Sequence, residues 1–289
     1  MLINNNQLKM MKRTLILFAA LFFSSSLVLA QNDMRVLSYN ILEGMKLDTT
    51  KGKQQFVQWV KDQDPDIFAI QETNKFTAES LAALAKSYGH DYSVLVKEKG
   101  YPTALTSRFP ITDVQKINDG ITHGYITAKV NGYNIVVLHL NPHHYDIRRK
   151  EMAAILTKIK ENKATKKLIV MGDFNSNSPL DKANYADGQL VKRLKEAKLK
   201  YAFHNNLVNG EEIDFEVQGS ILDFGLVDII KHLADSDPIN AKEINPAKHR
   251  IDYIYVSKDL KSKVVRGKFI RDEFTKKFSD HLPIIIELK

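Results

Sequence analysis

Leu168-Ile169-Val170-Met171-Gly172-Asp173-Phe174-Asn175 decides how this chain is read. The apolar run predicts a strand over Lys167 to Met171, which delivers Asp173 and Asn175, side chains of types that bind metal or move protons. The same figure recurs along the chain. Leu37-Ser38-Tyr39-Asn40 ends in Asn40, Ile67-Phe68-Ala69-Ile70-Gln71-Glu72 in Glu72, and Ile135-Val136-Val137-Leu138-His139 in His139. Arg250-Ile251-Asp252-Tyr253-Ile254 sets Asp252 at a strand start, and Ser279-Asp280-His281-Leu282-Pro283 opens the last strand with an acid beside a histidine. Strand ends of a sheet converge on one edge, so residues distant in sequence are expected to meet there.

Outward from this stretch, periodicity predicts further strands at Met34 to Tyr39, Asp66 to Gln71, Tyr92 to Val96, Thr103 to Thr106, Tyr125 to Val130 and Tyr133 to His139. Three more follow at Arg250 to Ser257, Lys263 to Ile270 and Pro283 to Leu288. Helices are predicted over Lys53 to Gln63, Thr77 to Tyr88, Asp146 to Glu161 and Gly188 to Ala197. Asn131-Gly132 is a hairpin signal, so the interleaved helices and strands do not build a purely parallel sheet. The polar stretch from Tyr201 to Lys248 is expected to form loops that face the substrate. No repeat or Pro/Gly-rich linker divides the chain, which reads as one domain after a leader.

That leader is read from Met10 onward. Lys12 and Arg13 precede an apolar stretch from Thr14 to Leu29, and Val28-Leu29-Ala30 is a small-residue cleavage signal. Residues 1–30 are therefore expected to be an N-terminal extension and cleaved signal peptide, 31–289 the working domain, and the protein to be exported, periplasmic or secreted. Ser24, Ser25 and Ser26 and the short apolar length argue against an uncleaved transmembrane anchor. Composition, 44% hydrophobic and 26% charged, excludes disorder as the main state. Cysteine is absent, which excludes disulfides, thiolate nucleophiles and cysteine zinc sites, so any metal rests on oxygen or imidazole. Lys9, Lys12 and Arg13 leave with the leader, so the net charge of +8 becomes 8 − 3 = +5, a mild basicity that suits an anionic substrate.

Singly, each polar strand end has a structural explanation. Asn40 suits an Asx turn, Glu72 a helix cap, and Asp173 with Asn175 a turn; Asp252 suits a pair with Arg250, and His281 a satisfied surface imidazole. It is the joint pattern that favours chemistry. Together these segments resemble the endonuclease/exonuclease/phosphatase superfamily, whose members include deoxyribonuclease I, exonuclease III-type repair nucleases, neutral sphingomyelinases and inositol-polyphosphate 5-phosphatases. The resemblance spans Val36 to Ile286. Gly172-Asp173-Phe174-Asn175 and Ser279-Asp280-His281-Leu282-Pro283 carry it most specifically, supported by Tyr39-Asn40, Gln71-Glu72, Leu105 to Ile111, His139-Leu140 and Arg250-Ile251-Asp252-Tyr253.

The resemblance implies an α/β fold of the α+β type, a four-layer α/β/β/α sandwich with two mixed, mainly antiparallel β-sheets. It implies Mg²⁺, with Mn²⁺ as a substitute, on Asn40 and Glu72, with Asp280 as an additional carboxylate; a hard cation of this kind prefers carboxylate and amide oxygens. It implies His281 as the base that activates water, oriented by Asp252, with Asp173 positioning that water. Asn175 would donate to a phosphoryl oxygen, and His139 would stabilise the transition state or protonate the leaving oxygen. The expected function is an exported metal-dependent phosphoesterase acting on a small molecule, a lipid head group or nucleic acid, with no stable protein partner. A secreted nuclease, a sphingomyelinase-type phospholipase and a silent phospho-ligand binder are the alternatives. Against the first two stand the lack of a dense basic run and of a recognisable apolar wedge.

Other residues are read less sharply. Arg148 and Glu151 sit where the family often has Arg and Gln, and a structural salt bridge is expected of them. His143 and His144 are expected at the rim of the cleft, because Asn141-Pro142 breaks the register a zinc pair with His139 would need. His123 suits either the cleft or a surface turn.

Overall fold

Strands that are apolar on both faces need cover on both sides, and here two sheets lie face to face with helices outside each. In a computed structural model describing residues 33–46, 48 and 53–289, the first sheet begins with Val264–Phe269 (β13), Ile284–Leu288 (β14) and Met34–Asn40 (β1). It continues with Ile67–Gln71 (β2), Ala104–Ser107 (β4) and Tyr92–Leu95 (β3). The second runs Leu226–Asp228 (β11), Asp252–Ser257 (β12), Leu168–Asp173 (β8), Tyr133–His139 (β7), Tyr125–Val130 (β6) and Ile111–Ile117 (β5). A small ladder joins Leu207–Val208 (β9) to Glu212–Ile213 (β10). The N-terminal extension and signal peptide expected over residues 1–30 lie outside the described residues. Among those described, no helix is long and apolar enough to cross a membrane.

Each sheet is antiparallel except for one central pair, β1 with β2 and β7 with β8. The mixed, mainly antiparallel architecture expected from the resemblance is therefore present. Val36, Ile67, Leu105 and Ile286 of the first sheet meet Ile126, Val137, Ile169 and Ile254 of the second in the central core. Outside the first sheet, Gln54–Gln63 (α1), Ala78–Ser87 (α2) and Glu273–Phe278 (α7) cover Leu37, Phe68 and Ile70 with Phe56, Trp59, Leu81 and Phe274. Outside the second, Tyr145–Glu161 (α3) and Glu216–Asp223 (α5) cover Val136, Leu138 and Val170 with Met152, Ile155, Val217 and Ile221. Alternation along each strand thus feeds one core inward and one outward.

Two regions depart from expectation. β5 was not anticipated: it is an edge strand whose middle is exposed and polar, so it carries no apolar alternation to read. The stretch from Tyr201 to Lys248, expected as loops, holds α5, β11 and a further helix, Ile229–Ser236 (α6), which starts on an Asp228 cap. Its apolar residues pack into the cores; Ile229 and Ile230 join the inter-sheet cluster and Val217 and Ile221 the outer one. The expected helix near Gly188 is present as Gln189–Lys200 (α4).

A buried histidine ties the first sheet together. His90 Nε2–H donates to the Pro65 carbonyl at 2.7 Å, so Nδ1 is the acceptor, 2.8 Å from the Thr106 hydroxyl. Burial disfavours the imidazolium and pushes the pKa down from 6.5 to about 4. The unfolded chain therefore binds this proton first as pH falls. The stability His90 contributes is complete above about pH 6.5 and is lost between there and about pH 4, up to about 3 kcal/mol. Melting temperature measured from pH 7 to pH 4 should fall more steeply in the wild type than in His90→Gln. Parallel curves would exclude a buried neutral imidazole.

Candidate active site

The register of the central strands brings the polar ends together. Parallel pairing sets Asn40 beside Gln71, and hence near Glu72, and sets His139 beside Asp173. β12 runs antiparallel and starts with Asp252 opposite Asp173, while β14 enters the first sheet with Ile284 opposite Ser38, just after His281. C-terminal ends of parallel strands and N-terminal ends of their antiparallel neighbours therefore share one edge of the sandwich. The register needs a glycine at 172, where φ is +141° and a Cβ would stand 1.9 Å from the Leu138 carbonyl oxygen.

Asn40 joins the two sheets. Its Nδ2 donates to Glu72 Oε1 at 3.1 Å and to Asp173 Oδ2 at 3.0 Å, and its Oδ1 accepts from the Leu42 amide. Glu72 Oε2 accepts from the Glu43 amide at 2.8 Å, and Glu72 itself holds a left-handed backbone, φ +60°, that glutamate seldom adopts. Asp173 is buried; its Oδ1 accepts from the Asn175 amide at 2.8 Å, and its Oδ2 lies 3.6 Å from His139 Nε2 and 3.8 Å from His281 Nε2. His281 Nδ1–H donates to Asp252 Oδ2 at 2.7 Å. Ser279 Oγ, hydrogen-bonded to the Asn40 carbonyl and the His281 amide, fixes the turn that presents the imidazole.

Seven of the eight expected residues thus meet in one cluster. Asp280 stands apart: its side chain is 68% exposed, with Oδ1 3.9 Å from His281 Nε2, at the rim. The alternative pairing of Asp252 with Arg250 is absent. Arg250 is buried and bonds instead to Asp181 and Asp228, two acids that bear no motif, and Asp252 is left to the imidazole.

These groups shift one another strongly. Burial and the neighbouring Asp252 carboxylate push Asp173 up to about 7, against the pull of His281. Burial opposes charge on His281, but the Asp252 and Asp173 carboxylates outweigh it and hold the imidazolium up to about 10. His139 is driven well below 6.5 by burial and by repulsion from His123 and His281, and is neutral at pH 7. Asp173, Asp252 and His281 each offer a ligand atom within 4.8 Å of the others, and Asp252 Oδ1 is buried with no hydrogen-bond partner among the described residues. With Glu72 on the same edge, these carboxylates make an anionic pocket whose oxygens suit a hard divalent cation.

Residues that the sequence left open take definite places. His123 is buried with its ring stacked 4.3 Å from that of His139, and Tyr101 meets it edge-on at 5.5 Å. Arg148 and Glu151 are buried but do not form the expected salt bridge with each other. Arg148 donates to the Asn141 carbonyl and to Asn206 Oδ1. Glu151 Oε1 accepts from the Thr122 amide and hydroxyl, and Oε2 from the Asn141 amide. One carboxylate therefore ties the loop after His139 to the loop that carries His123. The usable signal was Asn141-Pro142: Asn141 Oδ1 caps the His143 and His144 amides in an Asx turn.

A model described as the Endonuclease/Exonuclease/phosphatase family matches residues 37–281. Among solved structures, an AP endonuclease from Archaeoglobus fulgidus superposes with a TM-score of 0.60 at 16% identity, covering 89% of this chain and 99% of that one. A 3'-5' exonuclease (NExo) from Neisseria meningitidis gives 0.61 at 20%, with 89% and 100% covered. A 3' phosphatase NExo from Neisseria, bound to product DNA hairpin, gives 0.61 at 19%, with 89% and 99% covered. At these identities the likeness establishes the fold. No curated protein matches the chain.

Glu151 gives a direct test of how the loops are held. Its two oxygens face three donors, so an amide in its place turns an N–H₂ toward another donor. Glu151→Gln should destabilise the protein by about 1–3 kcal/mol in urea unfolding, the cost of a buried mispaired polar group. An unchanged midpoint would show that the carboxylate is not required.

Proposed function

Because the chain belongs to the endonuclease/exonuclease/phosphatase family, we propose that it is an exported hydrolase of phosphate esters, in which a water activated at His281 attacks phosphorus in line. One observation supports this above others: a buried Asp173 carboxylate, a carboxylate-bound His281 and the Glu72 carboxylate converge on one sheet edge.

In this reading the water bridges Asp173 Oδ2 and His281 Nε2, which stand 3.8 Å apart, from the cleft side. Asp173, anchored through its other oxygen by the Asn175 amide, orients the water, and His281 takes its proton at Nε2 while Asp252 holds Nδ1–H. Asn175 Nδ2 uses one hydrogen on the Leu140 carbonyl at 3.1 Å, which leaves the second for a phosphoryl oxygen. His139 is neutral, and as a hydrogen-bond donor it stabilises charge on the phosphoryl or leaving oxygen. Glu72 and Asn40 would hold Mg²⁺ or Mn²⁺, with Asp280 available at the rim. When bound, the ion would neutralise the phosphate and draw the field of the carboxylates away from His281, bringing its proton affinity toward neutrality.

Hydrolysis of bis-p-nitrophenyl phosphate measures this reading. Turnover should appear with Mg²⁺ or Mn²⁺ and vanish in EDTA. Asp173→Ala and His281→Ala should each lower kcat about a thousandfold or more with an unchanged circular dichroism spectrum. Near-normal activity in either variant rejects the assignment, and inactivity of the wild type with every metal favours a phospho-ligand binder.

A further inference from the structure

Beside the reaction centre lies a group of rings that hydrolysis does not use. His143 and His204 stack at 4.7 Å and 28°, Phe203 meets both edge-on at 4.9 and 4.7 Å, and Tyr201 tilts against Phe203 and His204 at 5.9 and 5.4 Å. Phe203 is 54% and Tyr201 43% exposed, among the few large apolar side chains left open to solvent. Isolated exposed rings need no explanation, but four joined in one network of contacts form a surface.

Backbone bonds hold this surface rigidly against the site. The Asn205 amide donates to the His143 carbonyl at 2.7 Å and the Tyr145 amide to the Asn205 carbonyl at 3.0 Å, stapling the ring loop to the segment after His139. Asn206 Nδ2 donates to the Pro142 carbonyl, and buried Arg148 binds Asn206 Oδ1. Only three residues lie between His139 and His143, so their Cα atoms are at most about 14 Å apart. Asn141 caps the His143 amide with one side-chain atom and donates to Thr122 Oγ1, beside His123, with the other.

We propose that Tyr201, Phe203, His204 and His143 form a stacking subsite for an unpaired nucleobase attached near the scissile phosphate, which makes a single-stranded nucleic acid the substrate class. This rests on the phosphoesterase reading and narrows it. Planar rings offer π-faces to any base without regard to sequence. Lys200, its Nζ 5.1 Å from the Tyr201 ring, and Lys198 nearby place cations where the flanking phosphates would run. A lipid surface is the competing partner, given the exposed Leu199 beside these rings, but insertion would drive two imidazoles into hydrocarbon. Duplex is disfavoured because paired bases hide their faces.

The test compares binding of two fluorescein-labelled oligodeoxyadenylates of equal length, one intact and one with its bases replaced by abasic sites, in EDTA to prevent turnover. The full chain should bind the intact strand about tenfold more tightly, and Tyr201→Ala and Phe203→Ala should bind both strands equally. Equal affinity of the wild type for the two strands overturns the proposal. So does a preference that survives both substitutions, above all if the same variants lose sedimentation with anionic phosphatidylglycerol vesicles. A ring-dependent preference in a protein that hydrolyses no phosphate ester keeps the subsite and rejects the catalytic reading instead.

Discussion

The structure depends on two parallel strand pairs, one in each sheet, whose C-terminal ends stop at the same edge. An antiparallel pair puts the end of one strand beside the start of the other, whereas a parallel pair puts two ends together. Asn40 with Gln71, and His139 with Asp173, are such pairs, and antiparallel β12 and β14 add the strand starts that carry Asp252 and His281. A one-residue slip in any of these strands would turn its functional side chain to the opposite face. The close approach of β8 to β7 at Gly172 and Leu138 protects against that slip, because a side chain at 172 would collide with the Leu138 carbonyl.

Electrostatics divides the buried acids into two sets. Asp181 and Asp228 close on Arg250, a cation that burial disfavours but that its two carboxylates hold well above its ordinary pKa. That set has one positive charge for two carboxylates, but the guanidinium reaches both acids through several bonds and locks the chain just before β12. Asp173 and Asp252 face His281 instead, with a single positive charge between two anions. Desolvating a carboxylate costs several kcal/mol, so an incompletely matched pair of acids is an expensive arrangement for stability alone. It persists at the edge where Glu72 adds a third carboxylate, which is the signature of a place built to receive positive charge.

What the sequence made legible follows from this physics. Strands covered on both faces are apolar throughout, so β1, β2, β7, β8, β12 and β14 stood out, and the break to a polar residue at each end was conspicuous because burial had removed the other polar residues. β5 lies at an edge with a solvated middle and left no such trace. Between Tyr201 and Lys248 the apolar residues are spaced by short helices of eight residues, too brief for periodicity to emerge from polar surroundings. The partners of Arg250 were hidden for another reason: Asp181 and Asp228 come from separate elements, and nothing local marks an acid that waits for a distant cation. The ring surface was legible only in part: the stretch from Tyr201 onward was expected to face the substrate, but nothing local shows that Phe203 and His204 meet His143 in space.

The cost of the site is visible in the backbone as well as in the charges. Glu72 and Asn175 both hold left-handed φ, and the buried amide of Gln71 has no hydrogen-bond partner among the described residues. Asparagine tolerates this conformation, but glutamate does so only where its surroundings over-determine it. Here they do: Glu72 accepts from the Asn40 side chain and the Glu43 amide, and the Gly44 amide donates to its carbonyl at 2.7 Å. Gly44 has φ +72°, and a Cβ there would meet the Asn74 carbonyl at 2.4 Å, so the clamp on Glu72 itself requires a glycine. The strain at Glu72 is therefore supported from two sides, by Asn40, which also bonds Asp173, and by the Glu43–Gly44 segment, and the carboxylate is aimed at the cleft before any ligand arrives. A position that only ended a strand would relax into the extended region, and this one is held out of it.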